Sequence, residues 1–125
     1  DLLEIQTPYG IETAERAMET LMQAAPRPTV VMCGNDVLAA GALRAARLMG
    51  LSVPQDVSVT GFDDIELARI VTPALTTVHL PHRDMGTKAA TALIGLVEGA
   101  LEVPAAVKLD TVVTLRDSLG PVPAD

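Results

Sequence analysis

The chain has 125 residues, 49% of them hydrophobic, with a formal net charge of −7 and a pI near 4.6. That is one domain's worth of chain, or a fragment of a larger protein, and its hydrophobicity supports a packed core and excludes a disordered segment. The acidic balance excludes this segment itself from gripping a nucleic acid backbone, which takes clustered Lys and Arg, but leaves a neighbouring domain free to do so.

Leu2–Ile5 reads as a strand end, followed by a loop with Pro8 and Gly10. From Ile11 a helix is predicted, with Ala14, Ala17, Met18, Leu21, Met22 and Ala25 on one face and Pro26-Arg27-Pro28 as its stop. Thr29–Cys33 is a short β-branched run, a buried strand with Cys33 as a small core residue. As the single cysteine it excludes an internal disulfide, and with two histidines it makes no zinc pattern. Asn35 is placed to cap a second helix, Asp36 to Met49, whose stripe is Leu38, Gly41, Ala42, Ala45, Leu48 and Met49. Val37, Ala40 and Leu43 widen that stripe, so the helix has apolar surface for its own sheet and for a partner. Gly50 is its expected C-terminal cap.

Val57–Thr60 is the next strand, ended by Gly61 through glycine's permissive backbone, with Asp63 and Asp64 just beyond its carboxyl end. Strand, helix and strand with short connections make a βαβ unit and hence a parallel sheet flanked by helices, an α/β fold. Ile65–Ile70 makes at most two helical turns. Thr72 is pushed toward extended geometry by Pro73, and Leu75–Val78 reads as a strand. A third helix runs from Pro81 to Glu98, closed by Gly99, and Val107–Leu115 reads as a hairpin or edge strand. A sheet that opens on a stub of strand leads us to expect an upstream part. There is no apolar run of about 18 residues to cross a membrane, and no basic leader before the first apolar residues.

Asp63 and Asp64 lie where open parallel sheets bind ligands. The pair fits hydrogen-bond acceptors for a ligand, solvated loop carboxylates, a metal site or a catalytic pair. A hard-cation site needs more converging carboxylates than Glu66 adds, and no nucleophile elbow, P-loop or dinucleotide fingerprint accompanies the pair. Asn35 is a helix cap that also stands at a strand's carboxyl end, where an amide and a carboxylate on one rim can grip vicinal hydroxyls. Tyr9 either packs or offers a face to a sugar or flat ring. His79 and His82 read as surface or hinge residues.

Together, residues 30–45 (Val-Val-Met-Cys-Gly-Asn-Asp-Val-Leu-Ala-Ala-Gly-Ala-Leu-Arg-Ala), Gly50–Asp64 with its Gly-Phe-Asp-Asp ending, and Thr72-Pro-Ala-Leu-Thr-Thr-Val78 resemble the C-terminal part of LacI/GalR-type bacterial transcriptional regulators. Tyr9–Met18 is similar to the segment preceding these blocks, and Thr114–Ser118 to the closing strand. The resemblance implies a type I periplasmic-binding-protein-like fold of two α/β lobes, with an effector in the cleft between them. Residues 1–78 and 107–118 would form the C-terminal lobe, and the 81–99 helix would belong to an N-terminal lobe otherwise missing. It implies effector contacts from Asn35, Asp63 and Tyr9, and homodimerisation through Val37, Ala40, Gly41, Arg44, Leu67 and Val71. The effector would be a sugar or nucleobase-like molecule. Operator DNA would be bound only through an N-terminal domain absent from this chain. The resemblance implies neither cofactor, metal nor membrane, no catalysis, and a cytoplasmic location. A periplasmic sugar-binding protein of a transport system is the competing expectation.

Overall fold

The computed structural model describes residues 2–100 and 106–122. Two units are distinguished, Asp1–His79 with Val113–Asp125, and Leu80–Val112. In the first unit the elements are α1 (Ile11–Leu21), β1 (Val30–Met32), α2 (Asp36–Leu48), β2 (Ser58–Thr60), α3 (Leu67–Ile70) and β3 (Thr77–His79). The second unit carries α4 (His82–Val97). β4 (Val112–Thr114) starts at the boundary and pairs with β3.

β1 and β2 are parallel, with Val30 opposite Ser58, Val31 opposite Val59 and Met32 opposite Thr60. Parallel bridges from Thr60 to Thr76 and from Asp63 to His79 extend the pattern toward β3. The expected βαβ arrangement is therefore present, and it sets the carboxyl ends of β1 and β2 side by side. Val107–Leu115 forms no hairpin: β4 is a single strand beside β3. Leu2–Ile5 has no regular structure.

The core of the first unit is aliphatic. Met18, Met22, Val31, Leu43, Val57, Val59 and Leu75 are buried, together with Ala39, Ala42, Ala45, Ala46 and Ala68. The small residues of α2 let α1 approach closely. A Cβ at Gly41 would overlap the Ile11 carbonyl and the Ala14 methyl. Two helix faces differ from their predicted stripes. α1 ends four residues before Ala25, which is exposed. In α2, Ala39 and Ala46 are buried while Leu48 is 65% exposed, because the face is chosen by closeness to α1 and β2, and small residues win there.

The α2 caps follow the sequence. Asn35 Oδ1 accepts the Leu38 N–H at 2.9 Å. At the other end Gly50 takes φ +74°, its N–H donating to the Arg47 carbonyl while Leu51 N–H donates to Ala46, a Schellman closure. Burial pushes the Cys33 thiol up to about 12, so it remains protonated, half-buried against the core.

Candidate functional site

The rim begins where β2 ends. Gly61 is required there for space rather than for backbone freedom. A Cβ on it would run into the Asp36 carboxylate and the Leu75 side chain. The unusual backbone angles fall two and three residues later, at Asp63 (φ 109°) and Asp64 (φ 55°). Each is a left-handed conformation that costs a non-glycine residue on the order of 1–3 kcal/mol, and it persists only where the surroundings enforce it. Here they do. Asp63 N–H donates to the Val78 carbonyl at 2.9 Å, and the next two residues are held through Asp64 and Asp36.

Asp36 is fully buried in the first turn of α2. Its carboxylate accepts the Thr77 hydroxyl at 2.5 Å and the Ile65 N–H at 2.9 Å, while its own N–H donates to the Phe62 carbonyl at 2.9 Å. A single side chain thus ties the start of α2 to the 61–65 loop and to β3. It also fixes Asn35, its neighbour, beside the residue that precedes Asp63. The helix dipole favours a carboxylate at this position. Sequence reading took the Asn35-Asp36 pair for a cap and missed this tie. Its one signal was the glycine at 61, which only a bulky neighbour explains.

The two adjacent carboxylates divide their roles. The Asp64 side chain is 5% exposed, accepting from Arg116 Nη2 at 2.5 Å and contacting His79 Nδ1 at 3.1 Å. Burial raises its pKa, but the hydrogen bond and charge of Arg116, the His79 contact and the charge of Arg69 more than offset this and hold it below its ordinary value. Arg116 is in turn fixed by donating from Nη1 to the Leu75 carbonyl and from its N–H to Thr76 Oγ1, both at 2.8 Å. Ser118 closes the same edge, its hydroxyl donating to Val59 O at 2.6 Å and accepting the Thr76 N–H at 2.8 Å. Asp64 is thus engaged within the chain, by Arg116 and His79. Arg116 and Ser118 belong to the closing strand's sequence, where nothing local announced a partner across 52 residues.

Asp63 is different: none of the described residues gives its carboxylate a hydrogen bond. Asn35 uses its oxygen on the helix cap, which leaves the amide NH₂ as a two-proton donor. Donor and acceptor therefore stand on neighbouring strand ends. Tyr9 is 72% exposed, just before Gly10 and the start of α1. A cleft of about 90 Å³ nearby is lined by Ile5, Thr7, Met18, Cys33, Gly34 and Leu38, and Tyr9 is not part of its lining. Gly41 is buried against α1 within the chain, and exposed Arg44 pairs with Glu15 of α1. Val37, Ala40, Leu67 and Val71 are half-buried. Among the described residues no group of three His, Cys, Asp or Glu could hold a metal ion, and no helix is long and apolar enough to cross a membrane.

A family model described as a periplasmic binding protein-like domain matches residues 3–119. The chain belongs to this family. Within the family it is 42% identical over 105 residues to the HTH-type transcriptional repressor PurR of Escherichia coli O1:K1, covering 84% of this chain and 31% of that relative. The chain therefore spans about a third of the length of the curated relatives it matches. Two solved LacI-family regulators share the periplasmic binding protein-like fold. One, from Arthrobacter sp. FB24 in complex with lactose, is 31% identical with a TM-score of 0.81, covering 91% of this chain and 43% of that one. The other, from Enterococcus faecium with bound ribose, is 27% identical with a TM-score of 0.83, covering 92% and 42%.

Proposed function

We propose that this chain is the ligand-sensing and dimerisation module of a LacI-type DNA-binding transcriptional regulator, taking a small effector, a sugar or nucleobase-like molecule, on the rim formed by Asn35, Asp63 and Tyr9. The observation that carries this is the Asp63 carboxylate. It is held in a left-handed backbone at a strand's carboxyl end, without a hydrogen bond from the described residues, next to the Asn35 amide. An acceptor-only group beside a two-proton donor suits vicinal hydroxyls, or an amine next to a carbonyl. Tyr9 adds an exposed ring for a sugar or base face. The lactose and ribose complexes of related regulators support a sugar. That the relatives are transcriptional regulators favours regulation over transport.

In this reading residues 1–78 and 107–118 form the C-terminal lobe, and the 81–99 helix belongs to the N-terminal one. Val37, Ala40, Arg44, Leu67 and Val71 supply the homodimer surface, while Gly41 serves the α1 contact. Operator DNA is bound by a separate domain, the protein acts in the cytoplasm, and it uses no catalysis or cofactor. The effector acts by binding one of two conformations more tightly.

The test is operator binding by the full-length protein, with and without a panel of sugars and purines. One compound is expected to release or strengthen DNA binding, and Asp63→Ala is expected to abolish that response while leaving operator affinity intact. Unchanged induction in Asp63→Ala would remove Asp63 from the site. Tight sugar binding without DNA affinity at low salt would overturn the regulator reading.

A further inference from the structure

The second carboxylate of the Gly-Phe-Asp-Asp block has a partner set that a solvated loop residue has no use for. The Asp64 side chain is 5% exposed and ion-paired with Arg116, whose own side chain is 14% exposed. Arg116 is tied to Leu75 and Thr76, the two residues that lead into β3. β3 carries His79, which contacts the other Asp64 oxygen. The residue before it, Val78, accepts the Asp63 N–H. Every connection made by the Asp64 carboxylate therefore returns to the segment that holds Asp63, and Asp63 itself sits at φ 109°, an angle it has no intrinsic preference for.

We propose that Asp64 is a positioning residue for the effector site: its pairing with Arg116 and His79 locks the 63–64 turn, and so aims the Asp63 carboxylate at the ligand. This rests on Asp63 being the effector acceptor. It assigns Asp64 no ligand contact. Without the lock, Asp63 relaxes toward negative φ and its carboxylate turns off the rim. The anchor is charge-assisted and geometrically specific, since a guanidinium holds both the carboxylate and the Leu75 carbonyl from one planar fork.

Two measurements on the full-length protein test this. Binding of lactose and ribose is titrated calorimetrically well below the melting transition, with melting temperatures measured separately. Asp64→Asn and Arg116→Gln are each expected to weaken the sugar that binds by at least about tenfold. The double variant, whose two amides can bond to each other, is expected to regain part of the loss. A lowered melting temperature with unchanged affinity marks a merely structural ion pair and overturns the proposal. Asp63→Ala is the control. If it abolishes binding while Asp64→Asn does not, only the positioning role fails. If it too leaves binding unchanged, the effector-site reading fails. The second measurement needs no ligand. In a crystal structure of Asp64→Asn, or of Arg116→Gln should the former not fold, Asp63 is expected to leave the left-handed region. Retention of φ near 109° would overturn the proposal whatever the sugar data show.

Discussion

At the scale of single residues, what distinguishes this rim is that its three carboxylates serve three ends. Asp36 is a buried tie, Asp64 an ion-paired anchor, and Asp63 an acceptor without a hydrogen bond from the described residues. The ionisation of Asp64 carries a consequence for stability. Asp64 is held below the ordinary 3.8, so the folded protein binds its proton less readily than the unfolded chain. Its contribution is complete above 3.8 and is lost as the pH falls through the lower folded-state value. The melting temperature is therefore expected to fall more steeply in that acid range for the unaltered protein than for Asp64→Asn, as thermal unfolding across a pH series would measure. Parallel slopes would show that the ion pair contributes no net stability. The same residues mark where local reading reaches its limit. Asp63 and Asp64 stand out together because they follow a β-branched run and a glycine. Asp63 and Asp64 look the same in sequence and differ only in what the fold brings against them.

At the scale of elements, the controlling contact is α1 against α2. Gly41 stands where the two helices are closest, and the atom it faces is a backbone carbonyl that cannot swing aside. Gly41→Val is expected to destabilise the protein by about 1–3 kcal/mol through overpacking, read as a shift in the denaturant midpoint; an unchanged midpoint would show that the helices part without cost. The capping signals of α2 were legible because they are local: a side chain reaching three residues ahead, and a glycine taking a positive φ. Its buried face was only half legible. Leu38 and Leu48 drew the predicted stripe by their size, but a tight helix contact selects alanine and glycine, and Leu48 turned outward. Gly61 shows the same limit. Glycine there was read as a backbone requirement, whereas the space it leaves is filled by Asp36 from a different element.

At the scale of the whole molecule, the proposed homodimer places Leu67 and Val71, at either end of the short α3, on the subunit surface. Leu67→Glu in the full-length protein is expected to weaken self-association by at least about 2 kcal/mol, measured as a shift toward monomer in sedimentation equilibrium. An unaltered association constant would remove α3 from the interface. The alternation of helical and β-branched periodicity by itself determined the α/β class, the parallel βαβ unit and the position of Asn35 and Asp63 at strand ends, because these depend on neighbours a few residues apart. Only the tertiary structure decided which of two adjacent aspartates is ion-paired within the chain and why Gly61 is a glycine. It also decided that Arg116 and Ser118, near the far end of the chain, brace the β2 and β3 edges. Those outcomes depend on contacts across tens of residues, where burial and hydrogen-bond geometry, rather than residue type, set each side chain's role.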